Sequence, residues 1–236
     1  MKKPLAIFDI DGTIFRSSLA LELYSFLVQE GIFSQKAWSE IEKKREKWLN
    51  REGGYDKYVS GVVAAYEKEI RGIKKSEIIR ASRTMLRRHK LRQYRFSRNL
   101  LSRVKGKYHT IGISGSPLEV VREDNKALGF EKIYGTEWGT DEKGRYTGAA
   151  IHVPPRYKKE LITRYVESHN LNLKGSIGIG DTEDDIGFLE LVQEPIAFNP
   201  NFELATYAKK KGWKVVVERK DMIYEFKPKK VKFLHV

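Results

Sequence analysis

From residue 108 onward the sequence alternates short apolar runs with helical stripes, and this rhythm limits the possible folds more than any other feature. The runs are YHTIGI (108–113), GSIGIG (175–180), PIAF (195–198) and WKVVV (213–217), with PLAIFDI (4–10) near the start. Between them, RYKKELITRYVESHN (156–170) puts Leu161, Ile162, Tyr165 and Val166 on one stripe, and NFELATYAKKKG (201–212) closes on a glycine suited to a helix C-cap. Strands alternating with helices of this length form βαβ units and hence a parallel sheet. The expected fold class is α/β, a Rossmann-like parallel sheet flanked by helices.

Residues 16 to about 90 have another texture, with four helical patterns and no convincing strand. LALELYSFLVQEG stops at Gly31, Ser34 is placed to cap a helix carrying Trp38, Ile41, Arg45 and Trp48, and the last pattern begins at Ser76. The third is the clearest: Tyr55, Tyr58, Val59, Val62, Val63, Tyr66 and Ile70 follow the i, i+3, i+4, i+7 rule until Gly72. We therefore expect an all-helical domain (16–94) inserted into an α/β core (1–15 and 95–236). Trp38 and Trp48 read as core residues of the insertion. Residues 138–148, WGTDEKGRYTG, read as a hairpin decorating the edge of the sheet.

The net charge is +14, and most of the excess lies in residues 15–105, which hold 22 Lys or Arg against 10 Asp or Glu. No acidic residue occurs between Glu77 and Glu119, while RRHKLRQYRFSR (87–98) is densely cationic. Such a run is either a solvated helix face or a surface that attracts phosphate-bearing molecules. The absence of cysteine excludes disulfides, thiolate catalysis and Cys-based zinc sites. No apolar run approaches the ~20 residues of a membrane span. The apolar stretch after Met1-Lys2-Lys3 breaks at Asp9, too early for a signal-peptide core, so a cytoplasmic location is expected.

In an open parallel sheet, ligands bind outside the carboxyl ends of the strands. Three motifs fall at such ends. LAIFDIDGTIF (5–15) runs into Asp9 and Asp11, with Gly12 to turn the backbone and Thr13 to offer a hydroxyl. TIGISGSP delivers Ser114, Gly115 and Ser116 just before a helix, where a hydroxyl and free N–H groups make an anion site. GSIGIGDTEDD delivers Asp181, Asp184 and Asp185. Each motif alone has an ordinary explanation, as a turn, an N-cap or the solvated first turn of a helix. Those explanations do not account for all three appearing in order. Carboxylates facing one another across two strand ends repel unless a cation joins them, and hard oxygen donors suit Mg²⁺.

With DIDGT, ISGSP, YKKELI and GIGDTEDDIGFL in that order, and AFNPNFELATYAKKKGW after them, the sequence resembles the haloacid dehalogenase superfamily. The resemblance is to the phosphoserine-phosphatase-like branch, whose helical cap is inserted after the first strand. It implies a Mg²⁺-dependent phosphatase in which Asp9 is the nucleophile that becomes an aspartyl-phosphate. Asp11 would be the acid for the leaving alcohol and then the base for water. Mg²⁺ would be held by Asp9, the backbone carbonyl of Asp11 and Asp181, with Asp185 behind them. Thr13, Ser114 and the N–H of Gly115 would contact the phosphoryl group. Lys158, four residues before Ile162, would offset the charge that develops there, whereas Lys159 reads as a surface charge.

Phosphoserine phosphatases of this branch carry a glutamate seven residues after the second aspartate, where it meets the substrate's amino group. Ser18 stands at that position here. The expected substrate is therefore a small anionic phosphorylated metabolite other than phosphoserine. Two alternatives remain: a basic module binding nucleic acid or an anionic surface on the same scaffold, and phosphotransfer to an acceptor other than water. The retained nucleophile, acid, lysine and metal aspartates weigh against the binding module, so nucleic acid is not an expected partner.

Overall fold

A computed structural model describes residues 3–89, 91–227, 232–233 and 235. Met1, Lys2, Lys90 of the basic run and the remaining positions of the tail assigned to the core lie outside the described residues. The chain begins with β1 (Leu5–Asp9), followed by α1 (Leu19–Gln29), α2 (Gln35–Leu49), α3 (Tyr55–Glu69), α4 (Lys75–His89) and α5 (Arg95–Val104). Then come β2 (His109–Pro117), α6 (Leu118–Leu128), β3 (Lys132–Thr140), β4 (Tyr146–His152) and α7 (Lys158–Ser168). The remainder is β5 (Ile177–Gly180), α8 (Ile186–Leu189), β6 (Glu194–Phe198), α9 (Phe202–Lys211), β7 (Lys214–Arg219) and β8 (Met222–Phe226). The eight strands among the described residues share one sheet in the order β4-β3-β2-β1-β5-β6-β7-β8. It is parallel from β3 to β7 and antiparallel at its two edges, an α/β fold as the alternating pattern requires.

Helices cover both faces of the sheet, which is why β1 reads as an unbroken apolar run instead of an alternating one. Leu5 and Ile7 point to one face, where they pack with Leu161 and Ile162 of α7, Phe188 of α8 and Leu204 of α9. Ala6 and Phe8 point to the other, with Leu101 and Val104 of α5 and Val120 and Val121 of α6. That second cluster continues without a break into the buried residues of α1 to α4. α9 ends as its sequence requires, on Gly212 at φ +69°, and the side chain of Asn201 caps its start by accepting from the N–H of Leu204 at 3.0 Å.

Helices α1 to α4 lie between β1 and α5 and contain no strand among the described residues. The chain leaves and re-enters through a short stem: Phe15 bridges to Gln93, and the N–H of Tyr94 donates to the carbonyl of Ile14 at 2.9 Å. Ser34 caps α2 by accepting from the N–H of Ala37. Along α3 the stripe is narrower than the heptad-like spacing suggests. Tyr58, Val62, Tyr66 and the following Ile70 are buried, but Tyr55 and Val63 are exposed. The exposed Tyr55 packs instead on Trp48 of α2, with ring centres 5.1 Å apart.

The hairpin is more than an edge decoration. β3 and β4 are strands of the main sheet, and their turn is tied to the α3–α4 junction. Gly72 N–H donates to Tyr146 O at 2.8 Å, Tyr146 N–H to Ile73 O at 2.9 Å and Lys75 N–H to Gly144 O at 3.0 Å. Tyr66 of α3 packs its ring on Trp138 of β3 at 5.4 Å. Among the described residues, no helix is long and apolar enough to cross a membrane.

Candidate active site

The parallel register brings the three motifs to one edge of the sheet. Asp9 lies beside Ile113, so Ser114 is the next residue of the neighbouring strand. Phe8 lies beside Ile179, so Gly180 and Asp181 follow on the other side of Asp9. Lys158, from the first turn of α7, enters this group from below and is almost fully buried.

Lys158 Nζ donates to Asp9 Oδ1 at 2.7 Å and to Asp185 Oδ1 at 2.6 Å. The second oxygen of Asp185 accepts the N–H groups of Asp181 at 2.8 Å and Thr182 at 3.1 Å, which fixes the loop after β5. Asp9, Asp181 and Asp185 each bring a carboxylate oxygen within 4.8 Å of the others. Thr13 Oγ1 donates to Asp181 Oδ1 at 3.2 Å. Asp9 Oδ2, by contrast, is buried and has no hydrogen-bond partner among the described residues. Burial pushes the Asp9 carboxyl well above the ordinary range, because Lys158 opposes this effect only in part while Asp185 and Asp11 add to it. Asp181 is raised likewise, first by burial and then by Asp9 and Asp185. For Lys158, burial disfavours the ammonium, but Asp185 and Asp9 together outweigh it and hold the proton more firmly than usual.

Two glycines make this crowding possible. Gly12 has φ +80°, and a Cβ there would fall 2.1 Å from Asp181 Oδ2. A Cβ on Gly180 would lie 2.4 Å from Asp185 Cγ. Both carboxylates occupy space that any side chain at those positions would fill.

Asp11 faces away from this cluster, toward α1 and β2. One oxygen accepts the N–H of Leu19 at 2.6 Å, the orphan donor at the start of α1, and Ser116 Oγ at 2.9 Å. The other accepts from Ser114 Oγ. The serine motif thus differs from the anion site expected just before a helix. β2 runs on through Pro117, with its register to β3 shifting between Ile113 and Pro117. Ser114 Oγ, besides donating to Asp11, accepts the N–H of Ser116 at 2.9 Å. Gly115 is exposed, and its carbonyl accepts from Thr136 Oγ1 at 2.7 Å. Ser116, expected with Ser114 and Gly115 at an anion site, is instead a third partner of Asp11. Its hydroxyl also accepts the N–H of Ala20, so it ties β2 to α1. Lys159, as expected, is a surface residue, paired with Glu190 at 3.5 Å.

The profile of the haloacid dehalogenase-like hydrolases matches residues 6–190, a stretch that contains all of these groups. The chain belongs to the haloacid dehalogenase-like hydrolase family. A histidinol-phosphatase of Neisseria meningitidis serogroup C (strain 8013) is 28% identical over 229 residues, covering 91% of this chain and 98% of that protein. Among solved structures, a protein of unknown function from Bordetella pertussis Tohama I superposes with a TM-score of 0.73 at 19% identity, covering 91% of this chain and 98% of the other. A phospho-aspartyl intermediate analogue of phosphoserine phosphatase superposes at 0.63 with 17% identity, covering 94% and 96%. Both likenesses are of fold.

At Asp181 of this family member opens a cavity of about 580 Å³, within the range of small-molecule sites. Its floor is made by Gly12, Asp181, Thr182, Asn199 and Asn201, all at the ends of strands. The rest is lined by the helical insertion and its stem, including Trp38, Trp48, Tyr55, Tyr58 and Tyr94, and by the charged Arg16, Glu22 and Arg45. Trp38 and Trp48 are therefore not purely core residues, since both line this space. Their spacing could not separate the two roles, because a packed tryptophan and a cavity-lining one obey the same helical period. Glu22 falls one helical turn after Ser18, where its carboxylate meets Arg92 at 3.0 Å and His89 at 3.1 Å. Ser18 itself is buried at the start of α1.

Proposed function

We propose that this hydrolase is a phosphatase that cleaves small phosphomonoesters through an aspartyl-phosphate on Asp9, with Mg²⁺ as cofactor. One observation carries the reading: Lys158 fixes one oxygen of Asp9 at 2.7 Å, while the other oxygen is buried and unpartnered. An attacking carboxylate needs one oriented oxygen with its lone pair unshared, and Asp9 has one. The likeness to a histidinol-phosphatase along 91% of this chain supports the same class of reaction.

Mg²⁺ suits the site, because three hard carboxylate donors lie within 4.8 Å of one another and one lysine does not balance them. Asp9, Asp181 and the backbone carbonyl of Asp11 would hold it. Asp185 has both oxygens engaged, so it positions Lys158 and the loop after β5. When bound, the ion neutralises charge on the phosphoryl group. Asp9 Oδ2 attacks phosphorus, the bond from phosphorus to the alcohol oxygen breaks, and that oxygen takes a proton from Asp11, whose carboxyl first turns from Ser114 and Ser116 toward the cleft. Water then attacks the phosphorus of the aspartyl-phosphate, gives a proton to Asp11, and releases inorganic phosphate and the Asp9 carboxylate. The Gly115 N–H would contact a phosphoryl oxygen directly, and Ser114 and Thr13 would do so by exchanging their bonds to Asp11 and Asp181 for bonds to the phosphate. The helices from 16 to 94 act as a cap on a core formed by the rest.

Ser18 leaves no carboxylate where an amino group of phosphoserine would bind, and Arg16 and Arg45 suit an anionic metabolite. A second reading, a phosphorylated amino alcohol of the histidinol type, is favoured by Glu22 in the cavity wall and by the Neisseria relative. The basic run supports a separate binding module less well, since Arg92 pairs with Glu22 and the guanidinium of Arg88 lies over the ring of Phe26. The test is a panel of sugar phosphates, nucleoside monophosphates, L-histidinol phosphate and L-phosphoserine, with and without Mg²⁺ and with alcohols as competing acceptors. Hydrolysis that is lost in EDTA, returns with Mg²⁺ and is slow for phosphoserine is expected. Metal-independent turnover, or phosphoserine as the preferred substrate, would overturn the reading.

A further inference from the structure

The cavity is unusually aromatic for a site expected to take a small anion. Trp48, Tyr55 and Tyr58 form one continuous cluster across α2 and α3: Trp48 lies 5.9 Å from Tyr58 with the rings 15° apart, and 5.1 Å from Tyr55. Trp38 adds a fourth ring to the lining from the first turns of α2. From the stem comes Tyr94, braced edge-on by Phe198 at 5.0 Å and carrying the guanidinium of Arg16 at 5.5 Å from its ring centre. Tyr55 and Trp48 are at the end of the insertion where the burial of α3 fails. Tyr55 is 41% exposed, and it lines the same cavity as Gly12 and Asp181. A folding core does not need a tyrosine in that position.

We infer that this aromatic cluster is the leaving-group subsite, and that it selects phosphomonoesters whose alcohol carries a flat ring. The inference rests on the proposed phosphatase only for the chemistry at Asp9. With the phosphate beside Asp9 and Asp181, the alcohol extends into the space bounded by Trp48, Tyr55 and Tyr58. An aliphatic chain there gains only burial. A flat ring gains offset or edge-to-face contact with rings already held in place by one another. Trp48, Tyr55 and Tyr58 are thus specificity-determining residues, and the selection is for flatness as well as for apolar area.

The test compares 2-phenylethyl phosphate with 2-cyclohexylethyl phosphate, which share carbon count and leaving-group chemistry but differ in ring flatness. Wild type is expected to favour the phenyl ester in kcat/KM by about three- to tenfold, the scale of one or two aromatic contacts. Trp48→Ala should bring the ratio close to one, whereas Trp48→Phe should keep most of it. Tyr55→Ala, at an exposed position, should lower the ratio too, and it replaces Trp48→Ala if that variant does not fold. Binding is measured separately in Asp9→Asn by tryptophan fluorescence, where the phenyl ester should bind more tightly and Trp48→Phe should reduce the signal. Equal or better use of the cyclohexyl ester, or a ratio that survives both alanine variants, would overturn the inference. If no phosphomonoester is turned over, the phosphatase reading fails, and the fluorescence titration still decides the subsite.

Discussion

Asp9→Asn should abolish turnover and, in metal-free protein, make the fold more stable. Asp9 is 4% exposed, its Oδ2 has no partner, and it shares its one cation with Asp185. An unpaired buried oxygen costs about 1–3 kcal/mol. The asparagine keeps an oxygen for Lys158, although the contact becomes charge-assisted from one side only, a loss of about 1 kcal/mol. Its amide can donate toward Asp181. The net expectation is a gain of about 1–2 kcal/mol in EDTA at pH 8, typical of an active-site group held at the expense of stability. The sign of the pH dependence follows from the raised carboxyl of Asp9. The folded state holds this proton at pH values where the unfolded chain has lost it. Wild-type stability therefore falls as pH rises through the raised value, and the advantage of asparagine grows with pH. Mg²⁺ binds folded wild type preferentially, so adding it should shrink or reverse the difference. Urea unfolding followed by tryptophan fluorescence at pH 5.5 and 8, with EDTA and then Mg²⁺, measures all of this. A variant that folds but is more than about 1 kcal/mol less stable than wild type in EDTA at pH 8 would refute the energetic argument. Phosphatase turnover near wild type would refute the assignment of the nucleophile.

Gly12→Ala should retain the fold, as seen by circular dichroism, while lowering kcat/KM about a hundredfold or more, because its Cβ displaces Asp181 and an alanine at φ +80° is itself unfavourable. Asp124, buried in α6 with one oxygen unpartnered, is raised to about 7, chiefly by burial and secondarily by Asp11. Its contribution is fully present below pH 4 and lost as pH rises through 7, so Asp124→Asn should stabilise by about 1–3 kcal/mol at pH 8 and hardly at pH 4, within an upper bound of about 4 kcal/mol. Denaturation at the two pH values checks it.

The sheet and its ligand edge were legible because parallel strands buried on both faces are uninterrupted apolar runs, and Asp9 and Asp181 stand where those runs stop. Lys158 was legible from its spacing to Ile162, since one helical turn separates the charged end of α7 from its buried stripe. The sequence did not reveal that Lys158 itself is the cation joining Asp9 to Asp185, because that contact spans 149 residues and depends on the packing of α7 beneath β1. The partnership of Asp11 with Ser114 and Ser116 was hidden for a related reason: nothing local distinguishes a strand that continues through SGSP from one that ends there. β8 carries exposed Met222, Ile223 and Tyr224 on an edge, without the apolar continuity that marked the central strands.

The hairpin contact has a mechanical consequence. The helical insertion is fastened at its stem, by the Phe15–Gln93 bridge, and again at the α3–α4 junction, by the bridge from Lys74 to Arg145. A beam pinned at two separated points cannot swing about either one, so the insertion does not open as a door. What is left unpinned is its overhang, α2 and the first turn of α3, where Ile41 is the only buried residue of α2 and where Trp48 and Tyr55 sit. The rings that would sort the substrates are therefore carried by the part of the insertion that neither fastening holds, and what braces them there is one another.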